Sequence, residues 1–125
     1  MTVEAQVPKR VFVVEDEAMI RVLLESMLAD LGYTVAAQAG EIDEATALAK
    51  TAAFDVALLD VNLHGRPITP VAEILTARGV PIVFASGYGE RGVPEAYRDS
   101  PTLEKPFETE ALERALWAAI GKSSA

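Results

Sequence analysis

Cysteine is absent from this chain, and histidine and tryptophan occur once each, as His64 and Trp117. The first absence excludes disulfides, thiolate metal sites and thiol catalysis. One imidazole leaves a transition-metal site poorly supplied. Cations are few as well: 11 Lys and Arg stand against 19 Asp and Glu, for a formal net charge of −8. Proteins that bind nucleic acid concentrate Lys and Arg to neutralise phosphates, so no nucleic-acid partner is expected. No apolar run approaches the roughly 20 residues that a membrane span needs, so no membrane partner is expected either. Residues 1–8 lack the charged start and apolar core of a signal peptide, which makes the cytoplasm the expected address. Repeats and low-complexity tracts are missing too.

What is present suits one domain with one hydrophobic interior: 125 residues, 50% apolar, 24% charged and 6% aromatic. Short β-branched runs alternate with longer segments of helical period. Residues 10–14 (Arg-Val-Phe-Val-Val) read as a buried strand. In residues 17–31, Ile20, Leu23, Leu24, Met27, Leu28 and Leu31 form one helical stripe, with Gly32 placed to end the helix. Residues 33–37 make a second strand. Residues 42–52 make an alanine-rich helix with Ala45, Leu48, Ala49 and Ala52 inward. Residues 55–60 (Asp-Val-Ala-Leu-Leu-Asp) are apolar until their last position, as in a parallel strand buried on both faces.

Residues 71–77 predict a third helix stopped near Gly79, and residues 81–86 a fourth strand. From Gly87 to Pro101 the pattern fails, leaving room only for a short or irregular fourth helix at residues 94–98. A brief strand at 102–104 and a helix at 110–120, followed by Gly121, close the chain. The expected architecture is α/β: five βα units, a parallel sheet, helices on both faces and right-handed crossovers. Residues 9–121 form the domain, between a disordered leader at 1–8 and a loose tail at 122–125.

Ligands of an open parallel sheet sit outside the carboxyl ends of its strands. Those ends carry Glu15-Asp16-Glu17, Asp60-Val61-Asn62, Ser86-Gly87 and Lys105-Pro106-Phe107. Clustered carboxylates repel unless a cation joins them. Oxygen ligands that leave positions for water and phosphate suit magnesium better than calcium or zinc. An aspartate there can attack phosphorus and form an acyl phosphate. Lys105 is placed to offset charge on the phosphoryl oxygens, and the Ser86 hydroxyl to hydrogen-bond one of them. Acids in a first helical turn can also serve the helix dipole alone, but Asp60 at a second strand end favours the functional reading. His64 reads as a solvated loop residue outside the site, and Trp117 as a partly buried rim residue. Residues 87–92 lack a phosphate-loop pattern and read as a flexible segment.

Taken together, Glu15-Asp16, Asp60, Ser86 and Lys105-Pro106-Phe107, in this order and spacing, resemble the receiver domain of bacterial response regulators, from about Lys9 to Ile120. The resemblance implies a flavodoxin-like, doubly wound five-stranded sheet in order 2-1-3-4-5. It implies that Asp60 is the phosphoacceptor, and that Asp16, Asp60 and the Asn62 carbonyl ligate Mg2+, with Glu15 assisting through water. Ser86 would close on the phosphoryl group and Lys105 hold it, after a cis peptide before Pro106.

The implied partners are a histidine kinase or histidine phosphotransfer protein as donor and a protein as target. The implied molecule is a single-domain cytoplasmic switch, monomeric or weakly dimeric. It is no enzyme beyond slow autophosphorylation and autodephosphorylation.

Three features depart from the family pattern. Asn62-Leu63-His64-Gly65-Arg66-Pro67 lacks the usual proline and the later Asp-Gly pair. Thr102 stands where a switch aromatic is common. Phe84-Ala85-Ser86-Gly87-Tyr88-Gly89 resembles a subgroup with a Phe-Ala-Thr-Gly-like end to strand four, where Tyr88 could substitute. Two other readings rank lower. A degenerate receiver would bind partners without phosphorylation. A magnesium-dependent aspartyl-phosphate phosphohydrolase would want an acid where Asn62 stands, and a cap domain.

Overall fold

The apolar runs that end in polar residues do form the strands. The computed structural model describes residues 9–87 and 92–124, with side chains through Gly121. In chain order it runs β1 (Arg10–Val14), α1 (Ala18–Asp30), β2 (Thr34–Ala39), α2 (Ile42–Thr51), β3 (Val56–Asp60), β4 (Asn62–Leu63) and β5 (Arg66–Pro67). Then follow α3 (Thr69–Ala77), β6 (Ile82–Ser86), a 3-10 turn (Glu95–Tyr97), β7 (Thr102–Glu104) and α4 (Thr109–Ser124). The main sheet is β2-β1-β3-β6-β7, parallel throughout. Since β4 and β5 form a separate hairpin, this is the expected order 2-1-3-4-5.

Alternation along the strands divides the interior into two layers. Phe12, Val14, Ala57, Leu59 and Phe84 face α2 and α3. Val11, Val13, Leu58, Val83 and Leu103 face α1 and α4. Each fully buried Leu, such as Leu28, Leu58, Leu59 and Leu112, contributes about 2 kcal/mol relative to exposure. The central strands β3 and β6 are buried along their whole length, which fixes where their last residues, Asp60 and Ser86, must stand.

Helix ends follow their sequence signals. After α1, Gly32 adopts φ 86°, and the amides of Gly32 and Tyr33 bond the Ala29 and Leu28 carbonyls. Gly79 does the same after α3, with φ 75° and bonds to Thr76 and Leu75. Only a residue tolerant of positive φ closes a helix this way at low cost.

Several expectations need correction. Leu23 is not on the inward stripe: it is 57% exposed, because it lies one residue, about 100°, around the helix from buried Leu24. Together with Met19 and Val22 it forms an outward apolar face. Trp117 is likewise turned out by its step from buried Leu116 and is 71% exposed rather than half-buried. Helix α4 runs past its expected end at residue 120, to Ser124.

The irregular fourth helix is the 3-10 turn at Glu95–Tyr97. Its Tyr97 ring packs on Phe84 at 5.6 Å. Phe84 is in register with Thr102, so the aromatic contact at this place comes from Tyr97. The leader at 1–8, Tyr88 and most of the glycine-rich segment lie outside the described residues.

Candidate functional site

Strands β1, β3 and β6 are neighbours, so their carboxyl ends form one rim. Glu15 follows β1 and is 2% exposed; its amide is tied to the Ala39 carbonyl of β2. Asp60 ends β3 and is 8% exposed, in register with Ala85 of β6. Ser86, one residue further, is fully buried. Lys105 follows β7, anchored by its amide to the Ser86 carbonyl at 2.9 Å, and the Lys105–Pro106 bond is cis.

These placements converge on one ammonium. Lys105 Nζ donates to Glu15 Oε1 at 2.7 Å and to Asp60 Oδ2 at 3.1 Å. Burial pushes the Glu15 carboxyl up to about 7, and Asp16 and the charge on Asp60 add to this, against lowering contacts from Lys105 and the Glu17 amide. Burial alone would lower Lys105, but its two carboxylate partners outweigh that and hold its pKa above the ordinary value. Burial would raise Asp16, yet hydrogen bonds from Glu15 and the His64 amide, with the imidazole nearby, leave it lowered.

The loop after β3 is built differently from a plain connection. Asn62–Leu63 pairs antiparallel with Arg66–Pro67 around His64 (φ 50°) and Gly65 (φ 83°). Two central residues with positive φ define the tight turn that suits a two-residue hairpin. The Asn62 amide donates to Asp60 Oδ1 at 3.2 Å, and its side-chain oxygen accepts from the Gly65 amide at 2.8 Å. The turn also carries the His64 amide to Asp16 Oδ2 at 2.9 Å, with Nδ1 at 3.7 Å. His64 is thus solvated, as expected, yet stands beside the site from which sequence reasoning left it out. The X-Gly pair between two short extended pieces is the signal that could have found the hairpin.

One carboxylate oxygen each from Glu15, Asp16 and Asp60 lies within 4.8 Å of the others. An all-oxygen, largely carboxylate set of this size fits a hard divalent cation such as Mg2+. Of the six residues singled out from sequence, Glu15, Asp16, Asp60 and Lys105 meet directly. Asn62 joins them through its backbone, and Ser86 stands at the next strand end.

Comparison with known proteins agrees with this geometry. The model of the response regulator receiver domain matches residues 11–116. The transcriptional regulatory protein PdtaR of Mycobacterium tuberculosis is 36% identical over 123 residues, covering 95% of this chain but only 60% of PdtaR. The solution structure of SdrG from Sphingomonas melonis Fr1 superposes with a TM-score of 0.80 at 39% identity, covering 91% of this chain and 97% of SdrG. The receiver domain of the sensor histidine kinase PA1611 from Pseudomonas aeruginosa PAO1, with a magnesium ion coordinated in its active-site cleft, gives a TM-score of 0.75. Its identity is 25%, covering 91% of this chain and 98% of that domain.

Proposed function

The chain belongs to the response regulator receiver family, and from that premise we propose that Asp60 accepts a phosphoryl group from a phosphohistidine donor, with Mg2+ held by Glu15, Asp16, Asp60 and the Asn62 carbonyl. The observation that carries this reading is the Lys105 ammonium spanning Glu15 and Asp60 beside a third carboxylate. When bound, Mg2+ supplies positive charge to the phosphoryl oxygens.

The remaining work falls to the chain. A carboxylate oxygen of Asp60 attacks phosphorus, the P–N bond to the donor imidazole breaks, and the imidazole leaves with the bonding electrons and takes a proton. Hydrogen bonds from the Asn62 amide and Lys105 aim the Asp60 carboxylate and hold it at the rim. Lys105 stays charged, its pKa raised, and offsets charge on the transferred group. The Ser86 hydroxyl, at the end of β6, donates to another phosphoryl oxygen.

The donor is a histidine kinase or phosphotransfer protein, and the output is a contact with a partner protein. Likeness in fold to the receiver domain of a sensor histidine kinase, and in sequence to a transcriptional regulatory protein, supports a place in histidine-to-aspartate signalling. We assign its work to the cytoplasm, where such donors act. No helix among the described residues is long and apolar enough to cross a membrane.

Intact mass after incubation with Mg2+ and acetyl phosphate, or with a cognate kinase, tests the reading. One labile phosphoryl adduct is expected on the wild type and none on Asp60→Asn. A folded wild type that takes no adduct from any donor would move the function to phosphorylation-independent binding.

A further inference from the structure

Both backbone groups of Glu15 are tied, and only one of the ties belongs to the sheet. Its amide bonds the Ala39 carbonyl as a continuation of the β1–β2 pairing. Its carbonyl accepts a hydrogen bond from Nη1 of Arg21, in the first two turns of α1. That carbonyl belongs to the peptide unit joining Glu15 to Asp16, so the guanidinium fixes the plane from which two successive acids project.

The guanidinium needs room to do this, and Gly40 provides it. A Cβ placed on Gly40 would lie 2.7 Å from Arg21 Nη1 and 3.6 Å from the Glu15 carbonyl oxygen. Real Cβ atoms do not approach so closely, and the atom met is the far end of a flexible side chain. A methyl group there would therefore expel the guanidinium and leave the backbone in place. Arg21 and Gly40 line one polar cleft of about 380 Å³ with Asp16, Glu41, Glu44 and His64, on the outer side of the acidic cluster.

We propose that Arg21 is a positioning residue for the cation site: it orients the Glu15–Asp16 peptide, and the missing side chain of Gly40 lets it do so. The proposal rests on the reading of Glu15, Asp16 and Asp60 as the Mg2+ site. Groups that orient ligands without touching the metal typically govern 10–100-fold in affinity. Arg21→Met is expected to weaken Mg2+ binding about tenfold at that scale, and Gly40→Ala to weaken it in the same direction. Arg21→Lys restores most of the loss, because an ammonium can still donate to the carbonyl.

Titration calorimetry of the full chain with Mg2+ reads these affinities, and the Glu15 carbonyl carbon shift reports whether the hydrogen bond is lost. Phosphorylation rates at graded Mg2+ add a separate reading. Positioning shifts the half-saturating Mg2+ concentration and spares the rate at saturation, whereas general damage lowers the saturated rate. Should Arg21→Met fail to fold, Gly40→Ala and Arg21→Lys decide.

Wild-type Mg2+ affinity in Gly40→Ala or Arg21→Met, with the Glu15 carbonyl signal moved, overturns this proposal alone. A wild type that binds no Mg2+ overturns the reading of the site and this proposal with it.

Discussion

Lys105 Nζ stands closer to Glu15, at 2.7 Å, than to Asp60, at 3.1 Å, so the lysine is shared between two acids that begin 45 residues apart in the chain. Sharing has an electrostatic consequence. Glu15 carries its proton to about pH 7 despite the ammonium beside it, because its burial outweighs the pairing. The Glu15 carboxyl is thus the member of the cluster that burial moves towards neutrality, whereas Asp16 is held below its ordinary value.

Mg2+ binding should release a proton and strengthen with pH. The Glu15 carboxyl, raised to about 7, must ionise before it helps hold a cation. At about pH 6 only roughly a tenth of it is ionised, so Kd should be about tenfold weaker there than at about pH 8. The sign for stability is opposite when no metal is added. A raised carboxyl pKa contributes stability that is complete below the ordinary value of 4.5 and is lost as pH rises through about 7. Calorimetry in buffers of different ionisation enthalpy measures the proton count; a flat affinity across this range would show that Glu15 does not take part.

Lys105→Ala should fold, lose about 1.5–3 kcal/mol of stability from charged hydrogen bonds to two buried carboxylates, and slow phosphorylation or weaken its signal. Its removal deletes a contact that lowers Glu15, so the Glu15 carboxyl should titrate above its wild-type value. Denaturant unfolding with a carboxyl-resolved NMR titration checks both statements. A variant that cannot fold would reassign Lys105 to the framework.

Ser86→Ala tests the hydroxyl at the end of β6. The side chain is fully buried, so the variant should fold but lose about 1 kcal/mol, the scale of deleting one buried hydroxyl and its hydrogen bond. The rate of phosphoryl transfer should fall about a hundredfold, the scale of losing one donor to a developing oxyanion. A single-turnover rate equal to that of the wild type would remove Ser86 from the transfer step.

Gly65→Ala isolates the hairpin. Nothing lies within 4 Å of a Cβ there, while φ is 83°, so the cost is backbone strain alone, about 1–2 kcal/mol. The expected second effect is a weaker tie between the His64 amide and Asp16, seen as a shift of the His64 amide resonance. Unchanged stability with an unmoved resonance would mean that the turn tolerates a side chain freely.

The strands were legible because β3 and β6 are apolar up to a single polar final residue, a pattern that marks both burial and the rim. The site's carboxylates and lysine were legible for the same reason: their chemistry is in their side chains and their place is at strand ends. What escaped was work done by the backbone. His64 meets Asp16 chiefly through its amide, and Arg21 meets Glu15 through a carbonyl, so no pairing of residue types announces either contact. Leu23 and Trp117 were misplaced because a helical stripe read from apolar residues alone extends over neighbours that the packed face excludes. Nor did the composition of the segment around Pro94 foretell that Tyr97, rather than a residue of β7, would lay an aromatic ring on Phe84.

The ladder that brings Glu15, Asp60 and Lys105 to one rim also sets what the site depends on. The Glu15–Lys105 contact closes a separation of 90 residues and the Asp60–Lys105 contact one of 45, and contacts so distant reward the chain only once the entropy of closing it has been met. Until β7 docks on the edge of the sheet beside β6, the carboxylates have no ammonium between them. On the proposed reading of Asp60 as acceptor, readiness to take phosphate would then also report that the last strand is in place, because Lys105 reaches Glu15 and Asp60 only from the end of β7.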